Sequence, residues 1–412
     1  MKRRLTIVFF DAGGGHRSAA EALKSVLESQ DRPWQVQLLN LQQELDKLDV
    51  LRKLTRIRIQ DGYNLMLRRG WTRLAPALLP LLQATIRLYH RAVVRLLTAY
   101  WKQNPTDLVL SVIPHFNRAI AESVPRAECA PPFVTLLTDL ADYPPHFWME
   151  RESEYLICGT ARAEEQAYGL GHDEDHVFLA SGMVLRSKFY EQPSFDREKQ
   201  RERLGLDRFL PTGLLLFGGY GSRAMLEIVR RLNAGSNQVQ LMVMCGRNAR
   251  LQAEIKNLKT RFPMVVEGFT QEIDGYMALA DFFIGKPGPG SISEALAFNL
   301  PVIVECNART LPQERYNAQW IEENGVGLVV KDFRKIDGTI AQLLEPQKFK
   351  ELRNNAANYR NRALFEIPVF LEQIFERRKP AKSALGAPAR APSMLEQAAW
   401  ASLIARLESS HT

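Results

Sequence analysis

The 412-residue chain has little cysteine and no long apolar run, and both absences narrow what it is. Its four cysteines, Cys129, Cys158, Cys245 and Cys306, stand far apart with no Cys-x-x-Cys pair, which argues against a zinc ribbon or a disulfide framework and fits a reducing compartment. No segment reaches the roughly 18 uncharged apolar residues of a membrane-spanning helix. The opening run Leu5 to Phe10 stops at Asp11, too short for the core of a signal peptide. A hydrophobic fraction of 46% with 24% charged residues excludes disorder and collagen, and the length predicts two or three units, each with its own core.

What the chain does have is positive charge in one place. Residues 48–102 carry eleven Lys or Arg against Asp49 and Asp61, which leaves the remainder of the chain, out of a total of +8, close to neutral. Large apolar groups, among them Leu65, Met66, Trp71, Leu78, Leu82 and Tyr89, are interleaved with that charge. Pro76 and Pro80 interrupt the uncharged stretch between Arg73 and Arg87, so a segment lying in a membrane interface is expected there rather than one crossing it. Arg87, Arg91 and Arg95 then recur every fourth residue while Tyr89, Val93, Leu96 and Tyr100 line another side, the pattern of an amphipathic helix with a basic stripe. Residues 52–102 are therefore read as a contact for an anionic membrane surface, a solvated face being the plainer alternative. No zinc-finger, RNP or helix-turn-helix pattern accompanies the charge, and no nucleic acid partner is expected.

Short β-rich runs alternate with helical stretches along most of the chain. Strands are predicted at Leu5–Phe10, Val36–Leu41, Asp107–Val112, Phe133–Thr138, Tyr155–Cys158 and Val177–Leu179. After a polar stretch they resume at Gly213–Phe217, Val239–Cys245, Met264–Val266, Asp281–Ile284, Pro301–Val304 and Val326–Val330. Apolar runs separated by helices indicate parallel sheets covered on both faces, so the fold class is α/β with two Rossmann-like, doubly wound parallel-sheet domains. The expected division is 1–195, 209–362, a helix at 363–379 returning to the first domain, and a linker with a short amphipathic tail at 380–412.

Glycine-rich turns follow several of these strands. Gly13, Gly14 and Gly15 with His16 stand between the first strand and a helix read from Arg17, where backbone amides meet an anion or acceptor closely. The turn matches neither the dinucleotide nor the P-loop fingerprint. His16 is suited to take a proton near neutral pH, and capping the helix or holding an anion are its other readings. Asp139 ends the fourth strand, with turn capping as its alternative. In the second half come Gly218-Gly219-Tyr220-Gly221-Ser222, Gly246 with Arg247, and Lys286-Pro-Gly-Pro-Gly-Ser-Ile-Ser-Glu294. A helix read from Ser291 points its electropositive end at the place for a diphosphate, and Glu294 either accepts from a ribose diol or caps that helix.

These turns, with Glu267-Gly268-Phe269 and Leu311-Pro312-Gln313-Glu314 in the same order, resemble glycosyltransferase family 28: the monogalactosyldiacylglycerol synthases and, more distantly, the peptidoglycan N-acetylglucosaminyl transferase. The resemblance runs from about Leu5 to Phe375 and implies a GT-B fold, its two domains facing across a cleft. It implies a UDP-sugar donor held by Gly288, Pro289, Gly290, Ser291, Ile292 and Glu294. Gln313 and Glu314 would meet the sugar, while Gly219, Tyr220, Gly246, Arg247, Gly268 and Phe269 would surround the nucleotide. Gly182-Met-Val-Leu-Arg186 resembles the family's Gly-x-Pro-Val-Arg element with Val184 in place of proline, and Arg186 would balance diphosphate charge. The acceptor would lie against Gly13, Gly14, Gly15 and Asp139, with His16 as base. The activity so implied is inverting, metal-independent transfer of a galactose or glucose to diacylglycerol or a related lipid, without a cofactor, at the cytoplasmic face of a membrane. A UDP-sugar 2-epimerase of the same fold, transfer to another lipid-linked acceptor and a silent binding protein are the alternatives.

Overall fold

The structure, a computed structural model, describes residues 2–11, 15–30, 32, 34–46, 75–126, 130–151, 154–191, 194–308 and 310–377, with the backbone alone for 75–85 and 126. Gly13, Gly14, the basic residues 52–74 and the tail from 378 lie outside the described residues. Met1 to Ile374 make one compact unit and Phe375 onward a second.

The first unit holds two six-stranded sheets, each wholly parallel. One contains β1 (Arg3–Phe9), β2 (Trp34–Asn40), β3 (Leu108–Ser111), β4 (Phe133–Leu136), β5 (Tyr155–Cys158) and β6 (Val177–Leu179), in the order β2-β1-β3-β4-β5-β6. The other contains β7 (Thr212–Leu216), β8 (Gln240–Met244), β9 (Met264–Glu267), β10 (Phe282–Gly285), β11 (Val302–Glu305) and β12 (Gly327–Val330), ordered β12-β11-β10-β7-β8-β9. All twelve predicted strands are present, displaced at their ends by a residue or two. β3, β4, β5, β8 and β10 are buried at every position, as strands covered on both faces must be. Each sheet reverses its direction of winding once, between β1 and β3 and between β7 and β10. Ligands of open α/β sheets gather at the carboxyl ends of strands beside such a switch.

The helices that bear on the site are α1 (Gly15–Ser29), α2 (Ala75–Gln103), α3 (Ala161–Gly169), α4 (Arg197–Arg203), α5 (Arg223–Ala234), α6 (Ala249–Lys256), α7 (Pro289–Ala297), α8 (Pro312–Glu323) and α9 (Ala363–Arg377). Two expectations change here. The stretch with Pro76 and Pro80 belongs to one continuous helix, α2, rather than to a broken segment. Proline in a helix's first turn sacrifices no intrahelical hydrogen bond, which accounts for Pro76. For the same reason α7 begins at Pro289 and not at Ser291: Gly288, in extended conformation, is its N-cap, and Pro289 occupies the position that its fixed φ favours. No helix among the described residues is long and apolar enough to cross a membrane.

The two sheets are tied together within the unit. Arg201 is buried at 3% exposure, and its guanidinium donates to Asp281 Oδ2 at 2.7 Å and to the Leu279 carbonyl. Arg197 reaches the other Asp281 oxygen at 2.8 Å. Burial alone would raise the Asp281 carboxyl, but Arg197 and Arg201 hold it lowered. This clamp fixes α4, the first helix beyond the first sheet, against the start of β10. From the other end of the unit, α9 returns to the first sheet: Glu366 accepts from the Ser181 N–H at 2.7 Å, Phe370 lies 5.2 Å from Phe178, and Glu372 pairs with Arg32 at 2.7 Å. Asp281→Ala strands the Arg201 charge in the interior, and a loss of about 3–5 kcal/mol in unfolding free energy is expected from urea denaturation. A loss below about 1 kcal/mol would show that solvent reaches the guanidinium.

Candidate functional site

β1 delivers the chain into α1, and His16, the second residue of that helix, reaches across to the end of β4. Its Nδ1 lies 3.1 Å from Thr138 Oγ1, and its ring stands 5.7 Å from that of Trp148. Trp148 has no exposure and is held on three sides. Its indole N–H donates to Asp139 Oδ2 at 2.8 Å, its backbone N–H to Asp142 Oδ1 at 2.7 Å, and its carbonyl accepts from the Asn117 amide at 2.8 Å. Asp142 also accepts from the backbones of His146 and Phe147, each at 2.9 Å, so a single carboxylate shapes the turn that presents the tryptophan. His115, whose φ is +70°, stacks edge-on against Phe147 at 4.2 Å and buttresses the same turn.

The ionisable groups of this cluster are displaced from their ordinary ranges. Burial lowers His16 to about 4, partly opposed by the Val112 carbonyl, so the imidazole is neutral and able to accept a proton throughout the physiological range. Burial raises Asp139 to about 7. The Trp148 N–H opposes that rise, Glu314 adds to it and Lys286 subtracts from it. Glu314 and Lys286 belong to the second sheet, so the two carboxyl edges lie within electrostatic reach of each other.

On the second sheet the turn after β7 meets the turn after β8. The Arg247 N–H donates to the Gly219 carbonyl at 2.8 Å, and Gly246 has φ +59° with a Cβ there falling 2.4 Å from the same oxygen, so only glycine fits. Asn248 caps α6 by accepting from the Leu251 N–H at 3.0 Å and donates to the Tyr220 carbonyl, while Ser222 caps α5. The Arg247 guanidinium lies 4.6 Å over the Phe269 ring, which is 53% exposed, and the two form an open flat surface. Gly268 packs over Gln252 beside them.

After β10, Lys286 Nζ donates to Glu314 Oε1 at 2.9 Å, and a Cβ on Gly288 would lie within 4 Å of both side chains. The Asn317 amide donates to the Pro287 carbonyl at 2.8 Å. Nothing lies within 4 Å of a Cβ placed on Gly290, and no side chain caps α7, so its first amides face open space. Glu294, one turn further on, is pushed up to about 7 by burial, against the pull of Arg186 and Lys188. The buried Nε of Arg186 has no hydrogen-bond partner. A buried unpaired donor beside a carboxyl held near neutrality is costly unless a ligand completes the set.

The structure thus groups Gly219, Tyr220, Gly246, Arg247, Gly268 and Phe269 around the β7 and β8 turns. Gly288, Pro289, Gly290, Ser291, Glu294, Gln313 and Glu314 stand around the β10 turn and the start of α8, and Gly15, His16 and Asp139 on the facing sheet. Ile292 does not belong with them: its side chain has no exposure and sits in the core, and its N–H already bonds to the Gly288 carbonyl. An Asp-x-Asp pair, Asp173 and Asp175, does occur, but it precedes β6 at the amino edge of its sheet, away from these turns, and Asp173 is engaged by His176. Sequence reasoning missed Thr138, Trp148 and Lys286.

A pair of parallel doubly wound sheets, with glycine turns and a helix start at one carboxyl edge and a histidine and a carboxyl at the other, is the arrangement of the GT-B fold. Residues 214–374, from β7 through most of α9, match the glycosyltransferase family 28 C-terminal domain, a likeness that supports a hexosyltransferase. Over 400 residues the chain is 28% identical to the chloroplastic monogalactosyldiacylglycerol synthase of Spinacia oleracea, covering 90% of this chain and 72% of that one. In fold it is similar to MurG of Acinetobacter baumannii, with a TM-score of 0.59 at 13% identity over 90% of this chain and 100% of that one. It is similar also to a UDP-N-acetylglucosamine 2-epimerase, with a TM-score of 0.56 at 14% identity over 94% and 100%.

The raised carboxyls have a consequence for stability. A native group that keeps its proton up to about pH 7, while the unfolded chain loses it near 4, makes the protein less stable as pH rises through that interval. Asp139→Asn and Glu294→Gln remove the penalty. Each is expected to raise the thermal midpoint at pH 8 and leave it nearly unchanged at pH 4, by scanning calorimetry. An equal shift at both pH values would show that neither carboxyl is desolvated.

Proposed function

We propose that the chain transfers a hexose, galactose or glucose, from a UDP-sugar to the hydroxyl of diacylglycerol or a related membrane lipid, with inversion and without a divalent ion. The observation that carries this reading is the opposition of two incomplete constellations. On the first sheet stands His16, a neutral base seated on Trp148 and Thr138. On the second stand the uncapped start of α7 and the Lys286–Glu314 pair, and the unpaired Arg186 Nε, from the segment after β6, lies within the field of Glu294.

Inverting displacement at an anomeric carbon needs a proton acceptor on one face and stabilisation of departing diphosphate on the other. His16 takes the proton of the acceptor hydroxyl; the adjacent Asp139, once ionised, favours the imidazolium that results. The amides of Gly290 and Ser291, with Arg186, meet the charge growing on the leaving group. Glu294 accepts from the ribose, the Arg247–Phe269 surface supports the base, and Gln313 with the Lys286-held Glu314 reads the sugar hydroxyls. The similarity to monogalactosyldiacylglycerol synthases supports a glycerolipid acceptor.

The described part of the basic segment supports a membrane partner. On α2, Arg87, Arg91 and Arg95 are exposed and Leu88 is 80% exposed, whereas Val93, Val94, Leu97 and Trp101 are buried against the first sheet. An exposed leucine within a row of arginines suits an anionic lipid surface on the cytoplasmic side, each arginine there contributing about 1 kcal/mol.

With UDP-galactose or UDP-glucose and diacylglycerol vesicles, His16→Ala is expected to lower turnover roughly 100-fold or more while UDP affinity by calorimetry stays within about twofold. Near-normal turnover removes His16 as the base, and no glycolipid product under any condition removes the reading itself. Replacing Arg87, Arg91 and Arg95 together by Gln should weaken cosedimentation with anionic vesicles roughly tenfold or more. Unchanged sedimentation would mark the stripe as merely solvated.

A further inference from the structure

Within the same compact unit lies a cavity of about 860 Å³ whose lining contains none of the groups of the candidate site. Its floor and sides come from the amino end of α3, the segment after β6, the later turns of α8, and Tyr359 and Glu366 from the returning chain. The rings of Tyr143 and Tyr316, 5.3 Å apart, line it: Tyr143 follows Asp139 in the same loop, and Tyr316 follows Glu314 on α8. None of the groups lining it takes part in the proposed transfer.

Its polar atoms are unevenly satisfied. Neither the Tyr316 hydroxyl nor the indole N–H of Trp320, residues 9% and 6% exposed, bonds to any described residue. Burial pushes the Tyr316 phenol up to about 12, so it remains a protonated donor without an acceptor. The carboxylates are in the opposite condition. Glu366 has one oxygen on the Ser181 N–H, Glu323 one on the Gln319 amide at 2.6 Å and Glu165 one on Arg162 at 3.1 Å. Each keeps its second oxygen for an incoming donor.

That inventory selects the chemistry of an occupant. A cation supplies no acceptors for the phenol and the indole. An anion supplies them but faces three carboxylates, and the one nearby guanidinium, Arg162, is already bound to Glu165 and to the Tyr143 hydroxyl at 2.9 Å. A lipid chain satisfies none of these groups. A neutral polyhydroxylated molecule both donates and accepts, and its C–H faces suit aromatic walls such as Tyr143, Tyr316 and Trp320. We propose that this cavity is a binding site for a neutral saccharide, separate from the donor and acceptor positions of the transfer reaction.

The test is direct binding of methyl β-galactoside, methyl β-glucoside and lactose to the full-length protein by saturation-transfer NMR, with and without saturating UDP. Binding with Kd on the order of 1–10 mM is expected, retained in UDP and in His16→Ala. Tyr316→Phe and Trp320→Phe, checked for folding by circular dichroism, should each weaken it roughly fivefold or more. Absence of binding up to about 50 mM, binding indifferent to both substitutions, or binding abolished by UDP each overturns the proposal. So does preferential uptake of tetramethylammonium, which would make the site cationic. Because the readout is saccharide binding and not transfer, failure of the transfer reading leaves this result intact, and the converse holds as well.

Discussion

Everything at the candidate site follows from strand direction. In a parallel sheet all carboxyl ends lie on one edge, so every following turn and every helix start is delivered to that edge, and the switch in winding opens a crevice there. The first sheet places His16 after β1 and Asp139 after β4; the second places Gly219 after β7, Arg247 after β8 and Gly288 after β10. Facing the two edges toward each other brings Asp139 within the field of Lys286 and Glu314, residues 147 and 175 positions away. No local propensity achieves that. The long burial runs of the strands and the return of α9 to the first sheet do it together.

Holding the edges together has an electrostatic cost that the site retains. Asp139 and Glu294 are carboxyls kept near neutrality by burial, and Arg186 has a buried donor with nothing to bond. Groups of this kind destabilise a fold, and they stand where a diphosphate and a hydroxyl would complete them. The contrast with Asp281 is instructive. It too is buried, but two arginines hold it below its ordinary range, so its charge is compensated within the protein. Burial is common to both cases. What separates a structural carboxylate from a poised one is whether its counter-charges come from the chain itself.

Much of this was legible in the sequence because it rests on local patterns. Strands buried on both faces read as continuous apolar runs, and turns that need glycine contain it, so all twelve strands and the loops at their ends could be placed from the letters alone. Even the errors near α7 were local. A start at Ser291 is what the letters suggest, although proline's missing N–H costs nothing at the first helical position, where Pro289 stands.

What the letters did not carry was the support beneath the reactive groups. Thr138 meets His16 across 122 residues, and Trp148 serves His16 through its ring, Asp139 through its N–H, and Asp142 and Asn117 through its backbone. A tryptophan in the run Tyr-Pro-Pro-His-Phe-Trp reads as core, and it is core, with no exposed surface. Its contribution to the site lies in being immovable, since an imidazole seated on a ring held at three points keeps its orientation whether or not an acceptor is bound. The one signal in the sequence was Asp142, four to six residues ahead of the amides it gathers, the spacing of a side chain that folds a loop onto itself. Lys286 opens the Pro-Gly motif in the sequence, and nothing in that run of letters assigns it a part. Its bond to Glu314 assigns it first to orienting a carboxylate, which is a property of two sheet-edge turns meeting and of neither turn alone.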